Sequence, residues 1–287
     1  MRQAAPFLAR LLRATAKEIE LTLPRVRAFS DEEAIHDMRV GVRRMRVLLK
    51  IVRTVWVREQ VEATRAGFTH IHRETSALRD EEVLRETLAE APLDTVGFRR
   101  FRELRARREA ELRALAHAHL RHGALRRPMQ KLAALLLLPG AKVIALDRFA
   151  LRTHDRLLAR VVARSAASTD DGVALHELRI AYKNLRYASE LLGPALPPER
   201  AAAEKPATKF QKHLGEIHDL DVACDIVRRA RTLDATERAK VLEWLGARRA
   251  ERVRKYSLDR ENLVLLGPPV AASVTTPSPV AAGRSRR

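Results

Sequence analysis

The stretch AIHDMRVGVRRMRVLLK, Ala34 to Lys50, has the spacing of an amphipathic helix, yet its polar side is almost wholly cationic and opens on a histidine. On a helical wheel at about 100° per residue, His36, Arg39, Arg43, Arg46 and Lys50 share an arc of roughly 80°, and the stripe is roughly 21 Å long. The neighbouring arc carries Met38, Val42, Met45, Leu49 and Val52, so the cations adjoin the apolar face instead of opposing it. Like charges three and four residues apart repel, by about a few tenths of a kcal/mol per pair. A helix selected for stability alone would intersperse glutamates. The missing counter-charge points to an anion supplied from outside.

A second stretch, ALHELRIAYKNLRYASELL from Ala174 to Leu192, repeats the pattern at an offset of 140 residues. His36 falls on His176, Arg39 on Arg179, Arg43 on Lys183 and Arg46 on Arg186, giving H-x-x-R-x-x-x-[RK]-x-x-R twice. Downstream, ALRDEEVL (Ala77 to Leu84) matches EIHDLDVA (Glu216 to Ala223) at 139, pairing Asp80 with Asp219, and Arg108 falls on Arg248 at 140. Matches in one order at nearly one offset indicate an internal duplication. LPGAK, Leu138 to Lys142, is a helix stop and a natural joint between the halves.

Nearly every segment reads at helical period. The expected helices are Pro6–Leu23, Asp31–Val57, Val61–Glu90, Thr95–Arg121 and Pro128–Leu138, then Ala145–Ala166, Val173–Leu192, Glu199–Ala230 and Thr236–Leu258, with a short apolar piece to Leu266. Ser30 with Glu33 forms a capping-box start for the second of these. The expected fold is all-α: two antiparallel four-helix bundles from an internal duplication, related by a pseudo-twofold. Residues 1–266 form one domain with halves 1–139 and 140–266, and the Pro/Ser/Thr/Ala-rich 267–287 is read as a disordered tail.

In the fourth helix of the first half, Phe98, Phe101, Leu104, Leu112 and Leu115 define an apolar stripe that contains Arg105 and Arg108. Arg248 and Arg252 sit in the same way with Val241, Trp244 and Leu245. Arginine at a core-facing phase is expensive unless it is paired or faces a wet cavity. Both halves are therefore expected to point cations into a shared channel or groove, with Asp80 and Asp219 as structural partners of the arginines.

The bulk numbers agree. Of 287 residues, 55 are Lys or Arg against 36 Asp or Glu, a formal charge of +19. Such an excess favours polyanions: nucleic acid, anionic lipid or a phosphate polymer. Only ten of the 55 are Lys, and arginine presents a planar fork of donors suited to phosphate oxygens. The single cysteine, Cys224, allows no internal disulfide and fits a reducing cytoplasm. The N-terminus reads as a first helix and not as a secretory leader. The longest apolar run, Leu132 to Leu138, is far short of the roughly 20 residues that span a bilayer.

The doubled HDMRVGVRRMR and HELRIAYKNLR, each followed by an RD- or HD-containing helix, resemble the CHAD domain, the conserved histidine α-helical domain. The resemblance runs from about Pro6 to Leu266. It implies two four-helix bundles around a basic central cavity that binds inorganic polyphosphate, with association to polyphosphate granules in some members. Carried over, it marks His36, Arg39, Arg43, Arg46, His176, Arg179, Lys183 and Arg186 as binding residues, with Lys209, Gln211 and Lys212 adding to the cavity. Lys50 has Glu190 as its counterpart, a departure from symmetry.

Other chemistries fit less well. HELR at His176–Arg179 resembles the phosphoacceptor box of histidine kinases, but Ile180 and Ala181 stand where Thr and Pro usually follow. His117, His119 and His122 point in different directions on a helix and read as helix-end residues, not metal ligands. His70 and His72 also point apart. No paired carboxylates and no phosphate-cradling glycine loop stand out, so no enzymatic activity, metal or cofactor is expected. Nucleic acid is the serious alternative. Base readout and stacking bring Asn, Gln or aromatic residues to the surface, and aromatics total only 4%. A polymer of phosphates without bases fits better; no membrane partner is expected, and no protein partner is indicated.

Overall fold

The computed structural model describes residues 2–28, 31, 33–166, 168–169 and 171–261. Among them the chain is all-α, with one isolated bridge, Gln3 to Ala145, in place of any strand. The first set of helices is α1 (Ala4–Ala28), α2 (Glu33–Val52), α3 (Arg58–Glu74), α4 (Ser76–Ala89) and α5 (Val96–Arg121). After α6 (Arg126–Leu137) comes the second set: α7 (Leu146–Arg164), α8 (Gly172–Leu192), the one-turn α9 (Pro198–Ala201), α10 (Glu204–Arg228) and α11 (Ala235–Glu261). The pairs α1 and α2, α2 and α3, α4 and α5, α7 and α8, and α10 and α11 pack along each other, and the sets meet where α2 lies on α8, α4 on α10 and α1 on α7.

The helix count differs from the sequence expectation at two places. The segment read as Val61–Glu90 breaks at Thr75, whose hydroxyl turns back to the Ile71 carbonyl at 3.0 Å. Glu199–Ala230 splits at Ala202–Ala203; Pro206 lies in the first turn of α10, where its missing N–H costs nothing and where a helix naturally restarts. α1 runs on through Pro24 to Ala28. Ser30 lies outside the described residues, and the Glu33 amide donates instead to the Asp31 carboxylate at 3.0 Å. α8 starts on Asp171, which accepts from the amides of Val173 and Ala174. The apolar piece to Leu266 and the segment 267–287 lie outside the described residues as well. The linker after α6 is tied to the first helices: Ala141 donates to the Val55 carbonyl, and Ala4 donates to the Ile144 carbonyl.

Two apolar clusters hold the helices. The larger draws Leu8, Met38, Leu48, Phe68, Leu178, Tyr187, Phe210 and Tyr256 from both sets. The smaller joins Leu84, Leu88, Phe98 and Phe101 to Leu220, Val227, Val241 and Leu245. Along α4 the larger cluster ends at Leu78 and the smaller begins at Leu84; along α10 the switch falls between Ile217 and Leu220. Asp80 and Asp219 therefore sit in a polar layer between the two clusters. The stripe expected on α5 is only partly apolar in space. Phe98 and Phe101 are buried, whereas Leu104 and Leu115 are exposed, although α5 packs on both α4 and α1.

The crossing of α1 and α2 is close. A Cβ on Gly41 would stand 2.7 Å from Cγ1 of the fully buried Ile19. Gly41→Leu should cost about 1–3 kcal/mol by overpacking this crossing, read as a lower melting temperature in circular dichroism. An unchanged melt would mean that α1 yields freely and is not held by the core.

Candidate functional site

Mutual repulsion would keep the cations of α2 and α8 apart, yet the fold brings them together. Lys183 on α8 feels Arg179 on its own helix and Arg43, Arg46 and Lys50 on α2; burial first, and these charges second, bring its pKa down to about 8. Burial and Arg43 bring Arg39 down to about 10. Burial likewise lowers Arg46, with Arg65 adding to it, and lowers Arg179. Among the described residues, no carboxylate lies within 4.0 Å of the cationic nitrogens of Arg39, Arg43, Arg46, Lys50, Arg179 or Lys183.

Neutral groups hold the three arginines that α2 brings to the cluster. Arg39 donates to the His72 carbonyl at 3.2 Å and to the Thr75 hydroxyl. Arg43 donates across the two sets to the Tyr187 hydroxyl at 2.8 Å, and Arg46 donates to the Thr69 hydroxyl at 3.2 Å. Arg186 donates to the Gln211 side chain at 2.7 Å and lies 4.1 Å over the Tyr187 ring. A neutral acceptor fixes the direction of a guanidinium and leaves its charge available. Arg186 is also 3.9 Å from Glu190, so it stands at the edge of the unpaired group.

Three histidines border the cluster. Burial, then Arg46, Arg39, Lys183 and Arg43, push His72 down to about 3. His218 falls to about 4 through burial, Arg179 and His176. Its ring centroid is 4.7 Å from that of His176, which burial also lowers. His36 is half-exposed at the start of the α2 stripe. His72, His218, Thr75 and Tyr187 were not legible as site residues. Of the His70/His72 pair only His72 enters the cluster, and nothing in the spacing of α3 distinguishes it.

Asp80 and Asp219 were expected as direct partners of the arginines. They stand within electrostatic reach of Arg179 and Arg79, and Asp80 also of Arg39, but burial wins and raises both. Neither forms an ion pair within 4.0 Å among the described residues.

The remaining expected residues are placed differently. Arg105 pairs with Glu81, and Arg108 pairs with Glu111 at 3.2 Å. Arg248 pairs with Glu90 and covers the Trp244 ring at 4.9 Å; Arg252 pairs with Glu216 at 3.3 Å. Arg248 and Arg252 line, with Arg79, Glu86, Glu90 and Asp219, a cleft of mixed charge between α4, α10 and α11. Lys209 pairs with Asp259 at 2.7 Å, and Lys212 is exposed on α10. These cations already have counter-ions or open solvent, and the structure does not bring them into the unpaired cluster. The histidines of α5 diverge: His117 meets the Val26 carbonyl at 2.8 Å, His122 meets the Ala118 carbonyl at 2.7 Å, and His119 packs edge-on against His70. Among the described residues no group of three His, Cys, Asp or Glu side chains is placed to hold a metal ion, and no helix is long and apolar enough to cross a membrane.

Comparison with known proteins gives the cluster a context. The profile of the CHAD domain matches residues 10–228, which include both His/Arg helices. The crystal structure of the CHAD domain from the plant Ricinus communis is similar at a TM-score of 0.77 and 25% identity, over 93% of this chain and 94% of that one. PptA from Streptomyces chartreusis is similar at a TM-score of 0.65 and 20% identity, over 91% and 99%, a likeness of fold. No curated protein matches the chain. The all-α architecture, the doubled helix and the matched profile agree, and the chain belongs to the CHAD domain family.

Proposed function

We propose that the α2–α8 cluster binds inorganic polyphosphate and performs no chemistry on it. The observation that carries this reading is the set of six half-buried cations drawn from two helices, three of them oriented by neutral groups, with no carboxylate within 4.0 Å among the described residues. Burying like charges together is unfavourable unless a ligand supplies the opposite sign. The ligand must carry several negative charges along a line, because the stripe runs roughly 21 Å on α2 and roughly 15 Å on α8. The same affinity would carry the protein to polyphosphate granules. Duplex nucleic acid shares the charge, but the tyrosine at the cluster is already engaged, its hydroxyl by Arg43 and its ring by Arg186, and does not offer itself to a base.

Binding of long-chain polyphosphate should exceed that of duplex DNA of matched charge at physiological salt, and should weaken as salt rises. Arg39→Ala with Arg43→Ala, and separately Arg179→Ala with Lys183→Ala, should each lower polyphosphate affinity by roughly 10- to 100-fold. Arg102→Ala with Arg107→Ala on the exposed side of α5 changes net charge equally and should cost far less. Titration calorimetry on the three variants decides the matter: equal losses in all of them mean diffuse attraction and no site.

The low pKa of Lys183 sets a pH window. Its value is about 8 in the fold against 10.5 in an unfolded chain, so between those values the unfolded state binds more protons. Stability without ligand should therefore rise with pH across that window, while below about pH 8 both states are protonated and the penalty of the buried charge is complete. Polyphosphate affinity should run the opposite way and fall above about pH 8 as the charge is lost. Lys183→Met should melt higher than the wild type at pH 7, converge with it near pH 10, and bind polyphosphate more weakly. A lower melting temperature for Lys183→Met at pH 7 would show the ammonium to be a structural support instead.

A further inference from the structure

Lys50 closes the α2 stripe and opens a second basic surface that the repeated motif does not contain. It lies beside Arg53, just beyond α2, and beside Arg156 and Arg160 on α7, in a groove floored by Leu157 and Asn184. A neighbouring hollow shares Lys50, Arg160 and Asn184 and continues to Arg164 at its rim. Arg156 and Arg160 are exposed, one helical turn apart on one face, where like charges repel. Their charges, with those of Arg53 and Arg65, act on Lys50 after burial, and Lys50 in turn acts on Lys183 in the central cluster. The line of positive charge is thus continuous from α8 to α7. Counter-ions stand only at its margins: Glu62 is 3.6 Å from Arg53, and Glu177 is 3.3 Å from Arg164. Among the described residues no carboxylate lies within 4.0 Å of Lys50, Arg156 or Arg160.

The positions 140 residues away carry no positive charge, and two of the three carry the opposite sign. Lys50 corresponds to Glu190, Arg160 to Glu20 and Arg156 to Ala16. At that end Arg44 is already neutralised, by Glu18 at 3.2 Å and by Glu190. One end of the cluster therefore presents unpaired cations to a polyanion, and at the other the cations already stand beside carboxylates.

We propose that a phosphate polymer held in the central cluster leaves it in one direction, over Lys50, and continues along the α7 groove, where Arg156 and Arg160 bind its distal segment. This rests on the polyphosphate reading of the cluster. It makes the groove a chain-length sensor: a short oligophosphate fills the cluster alone, and only a long chain reaches α7.

The test compares tripolyphosphate with long-chain polyphosphate on Arg156→Gln with Arg160→Gln, a variant that keeps most of the side-chain length and removes two mutually repelling exposed charges. Long-chain affinity should fall roughly 3- to 30-fold, tripolyphosphate affinity should stay within about twofold of wild type, and the melting temperature should hold. The Arg102→Ala, Arg107→Ala protein serves as the charge control. A long-chain loss no larger than the control's overturns the groove while leaving the cluster standing. Equal losses for both ligands overturn the division into two segments. Failure of wild-type protein to bind either ligand would instead remove the polyphosphate reading itself.

Discussion

Like charges held together away from water are the constraint on which this fold turns. On α2 and α8, burial first and the like charges of the cluster second lower the proton affinity of Arg39, Arg179 and Lys183, with Arg43 acting on all three. The three α2 arginines of the cluster, Arg39, Arg43 and Arg46, donate instead to the hydroxyls of Thr69, Thr75 and Tyr187 and to the carbonyl of His72. Each such bond satisfies a donor that burial would otherwise orphan, and none cancels the charge. Elsewhere the chain follows the ordinary rule. Arg44, Arg105, Arg248, Arg249 and Arg252 all meet carboxylates. The contrast within one molecule separates cations that hold helices together from cations kept for something else.

The scaffold supplies what the charges do not. α2 and α8 bury residues on both flanks of their cationic arcs, so each is held by the larger core and cannot rotate its stripe toward solvent. The near contact of Gly41 with Ile19 fixes α1 against α2. The break at Thr75 separates α3, which carries Thr69 and His72 to the arginines, from α4, which carries Asp80 and Leu84 toward the second core. At the offset position Gly215 leaves room for Arg179, whose Nε would lie 3.8 Å from a Cβ there.

The helices and the two stripes were legible because they rest on local periodicity, which a sequence displays directly. The all-α class, the positions of α2 and α8 and their cationic arcs all follow from spacing. The break at Thr75 was not legible, since Leu78, Leu84 and Leu88 continue the apolar rhythm past it. The pairing of arginines was not legible either. Arg105 meets Glu81 from 24 residues away and Arg248 meets Glu90 from 158, and no pattern along the chain announces such partners. Arg105 and Arg108 looked like site residues because their stripe looked buried, and the exposure of Leu104 and Leu115 removes that premise. The basic face of α7 was missed for a related reason. Arg156 and Arg160 belong to no repeated motif, and their importance comes only from lying beside Lys50.

Asp80 and Asp219 show how the cluster stays empty of counter-charge and still folds. Direct ion pairs with Arg39 and Arg179 would stabilise the unliganded protein, but they would have to be broken for an anion to enter. At their actual distance the two carboxylates offset part of the repulsion through space while forming no ion pair within 4.0 Å among the described residues. Burial raises both, and Asp80 further raises Asp219, so each carboxylate is itself poorly solvated. The polar layer between the two cores therefore holds incompletely compensated charge of both signs. That arrangement costs stability in the free protein, and under the polyphosphate reading proposed above an incoming anion would gain the difference without first displacing an internal partner.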